Sequence, residues 1–333
     1  HCGRAIGRGR RCGAHGLPLF GSGDWNDGMN LVGIGGKGES VWMALFLSRV
    51  LDRFAPVCRR MHDRERADGY EKEAARLRAA VDETAWDGEF YLRGFFDDGA
   101  PLGGKASPEC RIDLLPQSFS ALADMPDAAR RKTALDSALR ELADDRLRIV
   151  RLFTPPFDGH GRNPGYIRSY PPGIRENGGQ YTHAALWLAL ALFHEGRGDD
   201  GFRLLQWLNP VHRTERREEA LRYRTEPYAV VADISSNRAC EGRGGWSLYT
   251  GAAGWYYRAA VEYLLGLRFY ADRLEIRPCL PSDWPGYSAQ LRVRGTGIRL
   301  AVRRGEPAGL TVDGKPAGSV PLDGGEHTAE QTV

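Results

Sequence analysis

The sequence predicts a mainly α protein, built of helical hairpins and followed by a small antiparallel β region. Three observations predict it. Apolar residues recur at helical spacing in consecutive pairs of segments, and the connections between the pairs are rich in Gly and Pro. After residue 268 the texture changes to short alternating runs broken by turns. Helical hairpins laid side by side can close into an α/α barrel, with function in the loops at one end. Two domains are expected, residues 1–267 and residues 268–333.

The opening "HCGRAIGRGRRCG" shows neither an initiator Met nor a secretory pattern, and reads as the tail of an element that begins upstream. The chain is therefore expected to be part of a longer protein. Next, "ESVWMALFLSRVLDRFAPVC" sets Trp42, Leu45, Phe46, Val50 and Phe54 on one helix face, and Met43, Leu47 and Leu51 widen the stripe. "DRERADGYEKEAARLRAAVDETAW" follows as its amphipathic partner. Residues 113–123 and 127–145 form a second pair, the latter opened by Pro126-Asp127. A long loop, "TPPFDGHGRNPGYIRSYPPGIRENGG", comes next, and loops of that length inside a compact domain are usually functional. "QYTHAALWLALALFHEG" is apolar nearly all round, which predicts a buried helix ended by Gly196 or Gly198. "DDGFRLLQWLNP" pairs with it, and "SLYTGAAGWYYRAAVEYLLGL" is a last helix with small residues in its first turns. The β region holds "RLEIRPCLP", "SAQLRVRGTGIRLAVRR" and "GLTVDGKPAGSVPLDGG".

At 333 residues and 42% hydrophobic content the chain can bury a large core. A net charge of +3, without a block of like charges, points to neither nucleic acid nor a membrane surface as partner. No apolar run reaches the roughly 18 residues of a membrane span. The six cysteines lack a repeating spacing and read as reduced thiols of a cytoplasmic protein. His1, Cys2, Cys12 and His15 fit no zinc pattern, so no metal is expected.

Three constellations carry chemistry. "GSGDWNDGMN" packs Asp24, Trp25 and Asp27 between glycines. Counting from Asp24, glycines fall where a calcium loop needs ligands, and no Lys-Ser/Thr follows as a P-loop requires. Two readings remain: a turn in which the acids cap backbone amides, or a carboxylate beside an aromatic platform for a sugar ring. "PPGIRENGGQYTHAALW" gathers Arg175, Glu176, Asn177, Gln180 and His183 just before the buried helix. His183 is either a packed core histidine or, in the first helical turn, part of an anion pocket. "GGWSLYTGAAGW" offers Thr250 and Gly251 to an oxyanion, or merely small residues for close packing. "RTEPYAVVADI" adds Glu226 and Asp233 in a half-buried, strand-like context.

In this order and at these spacings, "GSGDWNDGMN", "YPPGIRENGGQYTHAALW", "EPYAVVADI" and "GGWSLYTGAAGW" closely resemble the glycoside hydrolase family 94 phosphorylases, which include cellobiose and chitobiose phosphorylases. "HGLPLFGSGDWNDGMN", "FDDGAPLG", "ECRIDLLPQS", "LFTPPFD" and "LNPVHRT" look most like the C-terminal phosphorylase domain of cyclic β-1,2-glucan synthases, with 1,2-β-oligoglucan phosphorylases close behind. The resemblance implies the C-terminal part of an (α/α)6 barrel and a β appendage. It also implies inverting phosphorolysis of a β-glucan oligosaccharide, with inorganic phosphate as co-substrate and no cofactor.

By that resemblance Asp27 is the general acid, and Asp24 and Trp25 line the sugar site. Glu176 and Gln180 are assigned to substrate binding, and His183, Thr250 and Gly251 to phosphate. To act as an acid Asp27 must hold its proton, which burial and the charge of Asp24 would favour. A homodimer, and the cytoplasmic face of the inner membrane for a glucan synthase, follow from the same resemblance. The sequence departs from the family in two ways. The β-sandwich and first half of the barrel are expected upstream, and Ala232 or Asp233 stands where cellobiose-type enzymes carry a phosphate-binding Gln. The other readings are an inverting hydrolase with Glu176 as base and a non-catalytic carbohydrate-binding domain.

Overall fold

Helix α1 (Cys2–Gly9) opens the chain, followed by three hairpins. These are α2 (Val41–Arg60) with α3 (Arg64–Thr84), α4 (Leu114–Leu122) with α5 (Ala128–Leu142), and α6 (Thr182–His194) with α7 (Gly198–Leu208). A short α8 (Arg217–Tyr223) precedes α9 (Ala252–Arg258), which continues as a π-helical stretch, Ala259–Leu264. This computed structural model describes residues 1–248 and 251–333. Among them the hairpins number three, where a complete (α/α)6 barrel has six.

The starts of four helices are fixed by side chains that accept otherwise unpaired backbone N–H groups. Ser40 Oγ accepts from Met43 N (3.0 Å) at α2, and Asp63 Oδ1 from Arg66 N (3.2 Å) at α3. Asp113 Oδ1 accepts from Leu115 N (2.8 Å) at α4, and Asp127 Oδ1 from Arg130 N (3.0 Å) at α5. Helix α2 runs on through Pro56. Short α8 has no counterpart in the helical pattern of the sequence.

Helices α2, α4, α6 and α9 stand in a row, each packed on the next, while α3, α5 and α7 pack behind their own partners. Helix α6 lies within this row, covered by α4, α7 and α9, which is why residues 184–193 are all buried. Of the two stop signals, Gly196 ends α6 with φ 73°, while Gly198 begins α7. Gly201 lets α7 close on α6, since a Cβ there would come within 2.7 Å of the Phe193 ring.

Beyond α9 the chain forms a three-stranded antiparallel sheet (Leu267–Phe269, Arg273–Ile276, Val320–Pro321) and a five-stranded one. The latter has the order Gly286–Val293, Thr296–Arg303, Glu326–Thr332, Gly309–Val312, Lys315–Ala317. The region is not wholly antiparallel, because Thr296–Arg303 pairs parallel to Glu326–Thr332. The intervening chain makes the hairpin at 309–317 and crosses to the other sheet at Val320, so it returns in the same direction. No helix among the described residues is long and apolar enough to cross a membrane.

One buried ion cluster ties the loops to the helix row. The Arg93 side chain is wholly buried and grips Asp24 through two bonds of 2.7 Å. Its Nε lies 3.2 Å from Asp113 Oδ2. Ser40 donates its hydroxyl to Asp24 Oδ2 (2.6 Å) while capping α2, and Asp113 caps α4. Burial works against the charge of Arg93, but the two carboxylates hold its pKa above the ordinary value. Burial pushes Asp113 up against the pull of Arg93.

Arg93→Met would leave two carboxylates buried without a cation, and should cost about 3–5 kcal/mol in urea unfolding. Leu188→Ala, in the fully buried α6, should cost about 2–5 kcal/mol by the same measurement.

Candidate active site

The turn that holds the two acids is bent by glycine. Gly23 has φ 131°, and a Cβ there would lie 2.8 Å from Asp27 Cα, so the loop folds back onto itself only without a side chain. A 3₁₀ turn, Asp27–Met29, follows. It packs on the 3₁₀ turn Tyr166–Ser169 of the long loop, bringing two distant segments together.

The two acids have opposite fates. The Asp24 side chain is wholly buried, and its oxygens accept from Arg93, from Ser40 and from the backbone N of Asn26 (3.0 Å). Its side chain therefore braces the turn from behind. Asp27 is exposed and bonds to the Tyr166 hydroxyl. Burial and the Asp27 charge push Tyr166 up to about 12. The burial expected for Asp27 is not observed, because the residue is exposed, and the charge of Asp24 is paired with Arg93. Between them Asn26 is buried, and neither atom of its amide has a hydrogen-bond partner among the described residues.

Beside Asp27 stands a polar group from the long loop and the strand pair Gln180–Tyr181 and Asp233–Ile234. Arg175 (φ 51°) lies between the rings of Tyr170 and Trp246, 4.9 and 4.8 Å from their centroids. Its Nε is 3.4 Å from Glu176 Oε2. Burial, with the charges of Asp233 and Asp27, raises the Glu176 pKa, and Arg175 opposes that rise. Burial likewise raises Asp233, and pushes Tyr181 up to about 12.

Gln180, assigned to substrate binding, is fully buried. Its Oε1 accepts from Val150 N (3.0 Å) and its Nε2 donates to Thr182 Oγ1 (3.2 Å). Both ends of the amide are used to join two strand segments to the start of α6, so its role is structural.

His183 sits in the first turn of α6 among Trp25, Trp187 and Trp255, with ring centroids 5.6, 4.4 and 5.7 Å away. Trp25 Nε1 donates to His183 Nδ1 at 3.4 Å. That bond fixes the tautomer, so the proton resides on Nε2, which is buried and has no acceptor among the described residues. Burial alone pushes the imidazole pKa down to about 4, so the ring is neutral at physiological pH. Gly251 precedes α9, exposed and with open space around its Cα; Trp255, four residues on, touches His183. Thr250 lies outside the described residues.

The structure thus gathers Asp27, Glu176, Trp25 and His183 at one end of the helix row, with Gly251 close by in sequence to a His183 neighbour. It withdraws Asp24 and Gln180 into the scaffold. Sequence reasoning missed Arg93, Tyr166 and Asn26 as parts of this region. Arg93 carried a signal, because a lone arginine inside the apolar run "FYLRGFF" demands a buried acid. Tyr166 and Asn26 carried none beyond their place in polar loops.

Residues 1–266 match the glycosyl hydrolase 94 superfamily, catalytic domain, and residues 267–328 match the C-terminal domain of glycosyl hydrolase family 65. The chain is 49% identical over 313 residues to the cyclic beta-(1,2)-glucan synthase NdvB of Rhizobium meliloti (strain 1021), covering 94% of this chain and 11% of that protein. It is 33% identical over 328 residues to the 3-O-beta-D-glucopyranosyl-beta-D-glucuronide phosphorylase of Paenibacillus borealis, covering 95% of this chain and 41% of the relative. Among solved structures a sialidase shares the fold, with a TM-score of 0.56 and 16% identity over 86% of this chain and 26% of the other. The chain spans less than half the length of each of these relatives. With its catalytic-domain match running through residues 1–266, the chain belongs to the glycosyl hydrolase 94 superfamily.

Proposed function

We propose that the chain carries the phosphorolytic site of a β-1,2-glucan-active protein. Inorganic phosphate attacks the anomeric carbon, the glycosidic C–O bond breaks, and Asp27 passes its proton to the departing oxygen. The product is α-glucose 1-phosphate, with the configuration inverted. The observation that carries this reading is the unfilled Nε2–H of His183, a neutral donor held in one tautomer by Trp25 at a helix N-terminus. Such a group suits an anion that must bind and then react, because it offers a hydrogen bond without a full opposing charge. Glu176, half-buried beside Arg175, would hold a sugar hydroxyl. The β-1,2 linkage rests on the similarity to the glucan synthase, and phosphorolysis also on the similarity to the phosphorylase.

The test is release of α-glucose 1-phosphate from β-1,2-linked glucooligosaccharides, which should require phosphate. Asp27→Asn should lower the rate by about 10²–10⁴-fold. Glucose released without phosphate would overturn the reading in favour of hydrolysis. Oligosaccharide binding seen by calorimetry without turnover would favour a binding domain instead.

His183 gives a second check. The unfolded chain protonates this residue near pH 6.5 and the folded chain only near pH 4, so acid in that interval favours unfolding. The stability that the neutral ring permits is present above pH 6.5 and is lost as pH falls through about 4. Between pH 7 and 4 the parent should therefore lose about 3 kcal/mol more than His183→Gln in urea titrations. Saturating phosphate should shrink that difference, because an anion beside the ring favours its protonated form.

A further inference from the structure

Away from the candidate active site, the 3₁₀ helix Val211–Arg213, helix α8 and the turn around residue 147 enclose a cavity of about 50 Å³. That is room for a few waters or one small oxyanion. Four arginines line it: Arg146, Arg148, Arg213 and Arg222. Arg146 pairs with Glu241 (2.7 and 2.9 Å) and Arg148 with Glu219 (2.6 Å). Arg213 and Arg222 have no carboxylate partner among the described residues, so the cluster holds two cations more than anions.

Arg213 is the most unusual member, because it is only 6% exposed. Its terminal nitrogens donate to the carbonyls of Leu147 and Arg148, while its Nε is buried without a partner. A guanidinium has five N–H donors, so two carbonyls leave it with spare donors and an unbalanced charge. Burial pushes its pKa down to about 10, which keeps it cationic at neutral pH. The acid that acts on it, Glu219, also lines the cavity but is already paired with Arg148, and a buried cation without its own counter-charge is costly. Across the cavity the stem of Arg222 lies over Gly242, where a Cβ would come within 2.8 Å of Arg222 Cδ. The absence of a side chain there is what lets Arg222 reach the rim.

We propose that this cavity binds a phosphoryl group, either free inorganic phosphate or the monoester of a sugar phosphate, at a site separate from His183. Guanidinium donors reach the cavity from three segments of the chain. That suits a tetrahedral dianion better than a carboxylate, which one arginine fork can satisfy alone. The site rests on a small separate core of Leu147, Ile149, Tyr223, Val231 and Ile234. Ile234 adjoins Asp233, whose strand pairs with Tyr181 next to the candidate active site. An anion held by Arg213 and Arg222 therefore braces the segment that carries Asp233.

Hydrogen exchange followed by mass spectrometry on the whole chain tests this, with phosphate, α-glucose 1-phosphate or chloride at equal ionic strength. Phosphate or the sugar phosphate should slow exchange in residues 145–150 and 211–224, and chloride should not. Whichever of the two protects identifies the source of the phosphoryl group. Arg222→Ala, on the exposed side of α8, should raise the concentration for half-protection about tenfold or more. His183→Gln should leave this protection intact, which separates the site from the proposed catalytic one. Absence of protection with both phosphoryl compounds overturns the proposal, as does protection unchanged in Arg222→Ala. Loss of protection in His183→Gln also overturns it. None of these readouts depends on turnover, so they stand even where the phosphorolysis assay fails.

Discussion

The architecture of the site depends on one buried guanidinium. Arg93 holds Asp24 by a two-pronged bond and Asp113 by its Nε, with all three side chains shut off from solvent. One cation cannot neutralise two buried carboxylates. Asp24, which takes the whole fork and a serine hydroxyl, is the natural anion, while burial pushes Asp113 towards its neutral form. Such a cluster contributes little net stability compared with apolar packing, because desolvation consumes most of the attraction. Its geometric effect is large. It joins a glycine-bent turn, the cap of α2 and the cap of α4 into one rigid unit, and leaves Asp27 facing outward.

The same connections show why the chemistry gathers at one end of the helix row. Asp24 is bonded to Ser40 at the start of α2, and Arg93 is ion-paired with Asp113 at the start of α4. Trp25 is bonded to His183 in the first turn of α6, and His183 touches Trp255 in α9. Four helices thus begin around a single turn, with their positive dipole ends together. The apolar α6 must be buried against its neighbours, so its N-terminus is placed with little freedom. The gathering of helix N-termini in this fold follows from the packing as much as from the polar residues themselves.

How much of this was legible in the sequence depended on the range of the interaction. The hairpins were readable because helical periodicity and capping acids are local, and the structure starts α4 at Leu114 and α5 at Ala128, close to the expected positions. The parallel pair of strands was not, because it depends on a return path through a second sheet. In the site, the polar density of "GSGDWNDGMN" was visible, but which of its acids faces solvent was not. That was decided by Arg93, nearly seventy residues away in sequence. The surroundings of Gln180 were hidden for a similar reason. Its amide is consumed by Val150 and Thr182, and no local pattern announces that pairing.

The electrostatics divide the site into two parts with different tasks. Glu176, Asp233 and Tyr181 each feel the charges of their neighbours, so these groups and Arg175 form one electrostatic cluster beside Asp27. His183 feels none of them. Burial is the whole cause of its shift, which sets it apart from the carboxylates although Trp25 joins the two regions. An anion placed at His183 therefore avoids the repulsion it would meet beside Glu176 and Asp233. In the proposed reaction the anion at His183 and the proton donor Asp27 would stand on either side of the sugar. Inverting displacement needs this separation, with the nucleophile on one side of the anomeric carbon and the proton donor on the other.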